Sequence, residues 1–311
     1  MTFQTPLPVR SALYMPASRP RLLDKAATLD CDALIVDLED AVAPDAKNDA
    51  REHAVRALTT LDYGHRLKVL RVNAADTPWF DDDLRAVIAA RPDAVLLPKV
   101  DDAEAVRRLQ DRLDGAGAPA GLRVWAMLET PAAVLSLAGI AALGREAGCR
   151  LDTLCVGGND LALAARLPAE ASPAAVRTAL QPWLSLFLAA ARAGGLSLLD
   201  GVWNDFADVD GFARDCALSV ASGFDGRTLI HPAQIEPVHA AFAPDADSVE
   251  RARRVVEVFG REENARLGVV ALDGRMLERL HLDAARRTLA LAARGGPEAG
   301  VSPRADQGAP P

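Results

Sequence analysis

The sequence contains few cysteines, and none has the spacing of a metal site or a redox pair. Its four cysteines (Cys31, Cys149, Cys155 and Cys216) are scattered, without a Cys-x-x-Cys pair. We interpret them as small apolar side chains in a reducing compartment. The sequence also lacks an N-terminal secretion signal and an apolar run long enough to span a membrane. We therefore expect a soluble, cytoplasmic protein without a membrane partner.

The sequence also lacks a basic segment. It has 35 Lys and Arg against 43 Asp and Glu, which gives a formal net charge of −8. This balance argues against nucleic acid and anionic membranes as partners, because both bind through clustered positive charge. An anionic substrate would have to be bound by local arginine, lysine or metal.

A third absence concerns nucleotide binding, because no Gly-x-Gly-x-x-Gly sequence follows the first apolar run. Instead, apolar runs of strand length alternate with helical patterns along the chain. Most of these runs have no polar alternation, which is typical of parallel strands covered on both faces. We predict eight strands at 11–15, 33–38, 67–72, 94–98, 123–128, 153–157, 197–202 and 227–230. Eight strands alternating with helices predict an α/β fold of the TIM (β/α)8 barrel type.

Helical periodicity places the helices between these strands. We predict them at 20–30, 46–60, 79–90, 102–113, 132–147, 173–194 and 207–222. Beyond residue 232 the pattern changes to a long charged helix at 246–265, a hairpin at 268–276 and a helix at 280–293. We therefore divide the chain into a barrel (1–235), a C-terminal helical and hairpin extension (236–294) and a tail (295–311). We expect the extension to pack on a neighbouring subunit and the tail, rich in Gly, Pro and Ala, to be disordered.

Acidic residues cluster where the apolar runs end. The second run ends in Asp37, Glu39 and Asp40, the fifth ends in Glu129, and Asp160 follows the sixth. Carboxylates beside buried strands are costly unless they are paired, hydrogen-bonded or bound to metal. Barrel enzymes build their active sites at the carboxyl ends of the strands. The acids therefore predict one shared polar site.

Glu129 and Asp160 could form a metal site, because adjacent barrel strands would bring them together. Hard divalent cations such as Mg²⁺ prefer carboxylate and water oxygens, and often use only one or two protein carboxylates. The alternative is that each acid caps the helix that follows it. The residues alone leave both interpretations open.

Two basic residues also lie at strand ends. Arg71 could hold a substrate carboxylate in a two-pronged grip, and the alternative is an ion pair with Asp37 or Glu39. Lys99 could form a Schiff base, but we favour an electrostatic or structural role because nothing in the sequence indicates that it is desolvated.

These strand-end residues belong to motifs that recur in a known family. The chain resembles the HpcH/HpaI aldolase and citrate lyase β-subunit family, especially its free-standing CitE-like acyl-CoA lyases. The likeness runs in order over roughly residues 9–290. The matching motifs are RSALYMPASRP (10–20), IVDLEDAV (35–42), RVN (71–73), LPK (97–99), ETP (129–131), GGNDL (157–161) and FDGRTLIHPAQ (224–234).

The resemblance implies a Mg²⁺-dependent TIM barrel that makes or breaks a carbon–carbon bond next to a CoA thioester. The residues that match family site positions divide by role. They are Glu129 and Asp160 as metal ligands, Arg71 for the oxo-acid carboxylate, Glu39 and Asp40 for orienting water, and Tyr14, Arg19 and Lys25 for CoA. The alternative for the aromatic Tyr14 is a place in the core.

One position in the C-terminal extension departs from the family. In related malyl-CoA and citramalyl-CoA lyases, an aspartate from a neighbouring subunit completes the site as acid/base, and our alignment places Glu278 there. A glutamate reaches further than an aspartate, and misplacement near a reacting atom is costly. The motif at 157–160 also departs from the commoner Gly-Ala-Glu-Asp, with Asp160 intact.

The expected activity is cleavage of a 3-hydroxyacyl-CoA thioester, such as malyl-CoA, citramalyl-CoA or citryl-CoA, into an acyl-CoA and a 2-oxo acid. The expected assembly is a homotrimer or homohexamer. One alternative is a CoA-free, metal-dependent aldolase for a hydroxy-oxo acid. Another is a non-catalytic subunit of a lyase complex that works with an acyl-carrier partner.

Overall fold

A closed parallel barrel forms the larger part of the protein. The structure is a computed structural model that describes residues 8–264 and 266–294. Its eight barrel strands pair in chain order, and the first closes against the eighth. They are β1 (Ser11–Pro16), β2 (Ala33–Asp37), β3 (Leu67–Arg71), β4 (Ala94–Leu97), β5 (Arg123–Leu128), β6 (Leu151–Val156), β7 (Ser197–Asp200) and β8 (Gly226–Leu229). The predicted TIM-barrel fold is confirmed.

The barrel interior is filled by apolar side chains at alternate strand positions. Ile35 of β2, Val69 of β3 and Met127 of β5 belong to this interior cluster. Side chains on a strand alternate between its two faces, so the next inward position lies two residues further along. Those positions hold Asp37, Arg71 and Glu129. The alternation that fills the core therefore also brings charged groups to the carboxyl end of the barrel.

The helices follow the strands in chain order. Ten of them are α1 (Pro20–Ala26), α2 (Lys47–Thr60), α3 (Phe80–Ala90), α4 (Ala103–Gly115), α5 (Pro131–Leu135), α6 (Leu137–Leu143), α7 (Gly158–Ala164), α8 (Pro173–Gly194), α9 (Val209–Ser222) and α10 (Ile235–Phe242). Most of the predicted helices differ from these only at their ends. The predicted helix at 20–30, for example, ends at Ala26.

Two helix predictions were wrong in kind. The single helix predicted at 132–147 is two short helices, α5 and α6, separated at Ser136, whose φ of −105° and ψ of 7° are not helical. The apolar periodicity continues through Ser136, so it does not indicate the break. Helix α7 was not predicted, because it has only seven residues and begins at a Gly-Gly pair, a strong helix breaker.

The chain divides into two compact units between Val238 and His239. The second unit contains α11 (Ala246–Gly260), the antiparallel pair β9 (Val269–Leu272) and β10 (Arg275–Glu278), and α12 (Arg279–Arg294). The long helix predicted at 246–265 therefore ends earlier, at Gly260. The boundary at 235/236 and the packing of the extension on another subunit stay predictions, and the tail at 295–311 lies outside the described residues.

The second unit has an apolar core of its own, to which Val255, Phe259 and Leu282 contribute. Its hairpin turns at Asp273 and Gly274, whose φ values of 52° and 73° fit the turns that suit the twist of paired strands. Among the described residues of the whole chain, no helix combines the length and apolar character needed to cross a bilayer.

Candidate active site

A buried ion pair joins the ends of β2 and β3. Arg71 donates from Nε and from Nη2 to the two carboxylate oxygens of Asp37, each over 2.7 Å. The two residues are register partners on neighbouring strands, so the pairing follows from the parallel sheet. Burial alone would lower the pKa of Arg71, but the charge of Asp37 outweighs it and holds that pKa well above its usual value.

This pairing changes what Arg71 can offer to a ligand. The alternative of an ion pair with Asp37 is realised in the structure, and the two-pronged edge of the guanidinium formed by Nε and Nη2 is occupied. Only the remaining N–H groups on Nη1 and Nη2 can reach a substrate. Arg71 is therefore a rigidly held cation with part of its donor capacity left.

Glu39 lies between two cations. Its Oε1 accepts a hydrogen bond of 2.8 Å from Lys99 Nζ, and its Oε2 lies 2.7 Å from Arg71 Nη1. The second contact is misaligned, so Oε2 is buried without a hydrogen-bond partner among the described residues. Burial raises the pKa of Glu39, although Arg71 and Lys99 oppose the shift. The neighbouring Asp40 is exposed, with its Oδ2 3.7 Å from Arg71 Nη1.

Lys99 supports the site through both its side chain and its backbone. Its φ of 52° places it in the left-handed region, and its N–H donates to Glu129 Oε1 over 2.6 Å. Burial lowers the pKa of Lys99, but the hydrogen bond to Glu39 outweighs that effect and the net pKa is raised. A raised pKa keeps the amine protonated and unreactive, which favours the electrostatic role over a Schiff base.

Glu129 is a buried carboxylate that forms no ion pair with any residue in the described part of the chain. Its side chain is almost completely buried at the end of β5. Burial raises its pKa to about 7, the Lys99 N–H opposes the shift, and the charges of Glu39 and Asp160 add to it. Its Oε2 accepts no hydrogen bond from any residue that the structure describes. The group has an oxygen free for a ligand and an electrostatic need for positive charge.

The end of β6 is shaped around this carboxylate. A Cβ on Gly157 would lie 2.3 Å from Glu129 Cβ and 2.6 Å from its Oε2, so only glycine fits there without a shift. Gly157 is the N-cap of α7, and Asp160 lies in the first turn of that helix. The close approach of the two strand ends therefore depends on the missing side chain.

The capping interpretation was wrong for Glu129. Thr130, not Glu129, caps α5, because its side chain accepts a hydrogen bond from the Ala133 N–H. The N-cap of α7 is Gly157, which has no side chain to offer. Glu129 is therefore free of a capping role, whereas Asp160 lies in the first turn of α7, where an acid is favoured by the helix N-terminus.

The donor set fits a hard divalent cation. No group of three or more His, Cys, Asp or Glu residues with metal-site geometry occurs within residues 8–264 and 266–294. Two carboxylates with water and substrate are, however, a common environment for Mg²⁺, whereas structural zinc needs four protein ligands. The free oxygen of Glu129 and the nearby charge of Asp160 meet that description.

The prediction missed a buried network that fixes the loops carrying these acids. Lys47 of α2 donates from Nζ to the carbonyl oxygens of Leu38 and Glu39 and to Asn73 Oδ1, over 2.6 to 2.8 Å. The Asn73 Nδ2 in turn donates to Asp83 Oδ2 of α3 over 2.6 Å. Asn73 lies one strand repeat beyond Arg71, and this alternation was the available signal. Nothing in the local sequence marks Lys47, because its partners come from other elements.

The remaining predicted site residues fall into three places. Tyr14 is part-buried and packs against the interior cluster, with the Arg71 Cζ 4.8 Å from its ring centroid. Burial raises the pKa of Tyr14 well above its usual value. Arg19 and Lys25 are exposed at α1, and the described residues show no contact between them and the carboxylates. Glu278 ends β10 in the second unit, and its N–H donates to His281 Nδ1 over 2.9 Å.

A cavity of about 440 Å³ opens beside Glu39, Asp40 and Lys99. Its far side is formed by the Lys47 network and by Trp79, whose ring lies 5.0 Å from Lys47 Nζ. The fold and these residues define a class of protein. It is a (β/α)8 barrel with a cation-lined acidic pocket at the carboxyl ends of its strands, the usual place of an active site in this fold.

Comparison with known proteins names the family. The HpcH/HpaI aldolase/citrate lyase family model matches residues 10–232. A (3S)-malyl-CoA thioesterase of Cereibacter sphaeroides is 43% identical over 287 residues, which cover 92% of this chain and 95% of that protein. The citrate lyase subunit beta of Escherichia coli is 34% identical over 92% of this chain and 94% of its own. The chain belongs to the HpcH/HpaI aldolase/citrate lyase family.

Solved structures agree with this membership. The CitE protein of Mycobacterium tuberculosis, crystallised in complex with magnesium, acetoacetate and coenzyme A, has a TM-score of 0.70 and 31% identity to this chain. The match covers 92% of this chain and 98% of CitE. The resemblance drawn from the sequence motifs is therefore confirmed.

Proposed function

We propose that this protein is a Mg²⁺-dependent enzyme that cleaves a 3-hydroxyacyl-CoA thioester of the malyl-, citramalyl- or citryl-CoA kind. The products are an acyl-CoA and a 2-oxo acid. The observation that carries the proposal is Glu129, a buried carboxylate with one free oxygen, set beside Asp160 and near the fixed cation Arg71. The relatives named for malyl-CoA and citrate chemistry, and CitE bound to magnesium and coenzyme A, support the substrate class.

Glu129 and Asp160 would hold the Mg²⁺. When bound, the ion supplies Lewis-acid polarisation of the oxygen on the carbon where the bond breaks. The Gly157 backbone keeps Glu129 in place for this task, and the Lys99 N–H fixes its other oxygen. Glu39 and Asp40 orient water at the edge of the site.

Arg71 would hold the carboxylate of the oxo-acid part through its remaining N–H groups. Its link to Asp37 prevents it from moving, so its positive charge is in place before charge develops on the substrate. Tyr14, Arg19 and Lys25 are assigned to the CoA part by the family motif, and that assignment stays a prediction.

The chemistry requires a balanced proton transfer. The substrate hydroxyl gives up its proton as the carbon–carbon bond breaks. The electron pair of that bond passes to the carbon beside the thioester, which then takes a proton. A general acid/base must manage both steps. We assign this role to Glu278 from a second subunit of a homotrimer or homohexamer.

Hydrolysis of the thioester is the second candidate. It is favoured by the (3S)-malyl-CoA thioesterases that are 43% and 44% identical to this chain over more than nine-tenths of their length. In that reaction water adds to the thioester carbonyl and the CoA thiol leaves, while the carbon–carbon bond stays intact. The same metal and arginine would hold the malyl group.

One assay separates the two reactions. Malyl-CoA is incubated with the protein and Mg²⁺, and free thiol and glyoxylate are measured in the same samples. We expect glyoxylate without free thiol. Free thiol without glyoxylate would identify the hydrolase. The assay is repeated with citramalyl-CoA and citryl-CoA, with pyruvate and oxaloacetate measured in place of glyoxylate, and no product from any of the three thioesters would contradict both proposals.

Two further alternatives have their own readouts. A CoA-free aldolase predicts cleavage of a hydroxy-oxo acid and no calorimetric signal with acetyl-CoA. A non-catalytic subunit predicts that the purified protein is inactive alone and is recovered with an acyl-carrier protein in a pull-down.

A further inference from the structure

The position of Tyr14 in the barrel differs from that of the other two residues that the family motif assigns to CoA. Its strand neighbour Ala12 is completely buried, and Tyr14, two residues further, continues the same inward face of β1. Side chains on this face point to the barrel axis, whereas Arg19 and Lys25 are exposed at α1. Tyr14 therefore faces the barrel interior, unlike the two exposed residues that the family motif groups with it.

The ring of Tyr14 contacts Arg71 and lies within electrostatic range of Glu129. The Arg71 guanidinium packs on the ring face at 4.8 Å from the centroid, while Asp37 holds the edge of the same guanidinium. The charges of Arg71 and Glu129 both act on the phenol. The phenol therefore lies in the charged part of the site to which Arg71 and Glu129 belong.

The hydroxyl of Tyr14 has no hydrogen-bond partner among the described residues. The chain has two tyrosines. The hydroxyl of the other, Tyr63, has a partner, because it donates a hydrogen bond of 3.1 Å to the Leu23 carbonyl. Phenol groups that are largely buried usually have a partner. A hydroxyl without a protein partner on the inward face of β1, where the charges of Arg71 and Glu129 act on it, is open to an oxygen of a ligand.

We propose that the Tyr14 hydroxyl donates a hydrogen bond to the carboxylate of the 2-oxo acid part of the substrate. Tyr14 and Arg71 then recognise the same carboxylate, the first with a neutral donor and the second with its remaining N–H groups. This inference rests on the proposed function and deepens it. It makes Tyr14 a determinant of specificity for an acid, not a CoA contact.

The test uses two matched removals of a phenol oxygen, Tyr14→Phe and Tyr63→Phe. Calorimetry with Mg²⁺ and glyoxylate or pyruvate measures binding of the acid part, and the malyl-CoA assay gives kcat/KM. Loss of a hydrogen bond to a charged group should weaken acid binding about 10- to 100-fold in Tyr14→Phe. It should lower kcat/KM by a similar factor, and CoA binding should stay unchanged. Tyr63→Phe should keep its acid affinity.

Three results would overturn the proposal. If Tyr14→Phe binds the 2-oxo acid and turns over malyl-CoA as well as the wild type, the proposed hydrogen bond from the Tyr14 hydroxyl is excluded. A defect in CoA binding alone would restore the family assignment. Weak acid binding in Tyr14→Leu, with normal binding in Tyr14→Phe, would show that only the ring matters, as a support for Arg71.

The failure of the proposed function looks different. A wild-type protein that neither binds a 2-oxo acid with Mg²⁺ nor turns over any of the thioesters would remove the proposed function, and this inference with it. An active wild type with an unaffected Tyr14→Phe variant would remove this inference alone.

Discussion

Two buried carboxylates at strand ends of the same barrel have opposite surroundings. Asp200, at the end of β7, accepts hydrogen bonds from the Ser219 hydroxyl and the Gly201 N–H and pairs with Arg177. Burial alone would raise the pKa of Asp200, but Arg227 and Arg177 outweigh it and the pKa is lowered. Glu129, at the end of β5, has one N–H donor, and its pKa is raised to about 7.

The difference separates a structural carboxylate from one kept for a ligand. At Asp200 the unsatisfied buried atoms belong to Arg177, whose Nε and Nη2 have no partner among the described residues. Glu129, by contrast, has no positively charged group within hydrogen-bond distance among the described residues. The folded chain itself supplies the positive charge that Asp200 needs, whereas Glu129 would be neutralised by a proton or by a bound cation.

The largest expected effect is on activity in Glu129→Gln. Glutamine keeps the acceptor for the Lys99 N–H but loses the charge that would bind a metal. Activity should fall more than about 100-fold, because even residues that only orient a metal ligand cost about 10- to 100-fold. Because the substitution removes a buried charge, the midpoint of thermal unfolding of the metal-free variant should equal or exceed that of the metal-free wild type.

Steady-state kinetics over a Mg²⁺ titration would check the Glu129 prediction, with the exposed Glu146→Gln as control. Unchanged activity with unchanged Mg²⁺ dependence would exclude Glu129 as a ligand.

At Asp200 the same change from carboxylate to amide, Asp200→Asn, should lower the free energy of unfolding. It leaves the part-buried Arg177 and the buried Arg227 without the negative charge that they share, which costs about 3 to 5 kcal/mol of unfolding free energy. Urea unfolding followed by circular dichroism would measure this, with the exposed Asp210→Asn as control. An Asp200→Asn variant as stable as the wild type would contradict the structural role of Asp200 that distinguishes it from Glu129.

Adding one methyl group next to Glu129 should disturb the site without changing any charge. The Cβ of Gly157→Ala would overlap the Glu129 side chain, whereas the Cβ of Gly158→Ala would meet nothing within 4 Å. We expect about 10- to 100-fold lower activity and weaker Mg²⁺ affinity for Gly157→Ala only. Equal effects of the two alanines, measured by kinetics and calorimetry, would mean that the steric fit at Gly157 is unimportant.

The smallest expected effect is a pH dependence of the Asp200 contribution. The pKa of Asp200 is lowered from 3.8 on folding, so the native protein binds its proton less readily than the unfolded chain. The stabilisation is therefore complete above pH 3.8 and is lost as the pH falls below it. Urea midpoints at pH 7 and pH 3.5 should show the gap between wild type and Asp200→Asn narrowing at the lower pH. A constant gap would contradict this.

Strand and motif positions could be predicted because they depend on local chemistry. Continuous apolar runs gave the eight strands, and the inward alternation extended to Asp37, Arg71 and Glu129. Two features could not be predicted. One is the break of the predicted 132–147 helix into α5 and α6, and the other is the short helix α7. Both depend on backbone conformations at Ser136 and Gly157 that propensity does not specify.

The sequence by itself determined the barrel, the strand ends at which the acids lie and the family of the chain. Only the tertiary structure decided which acid is paired and which is left open. Lys99 reaches Glu39 across 60 residues of sequence, and Arg71 reaches Asp37 across 34. Pairing depends on which elements meet in space, and local sequence contains no record of those distant neighbours.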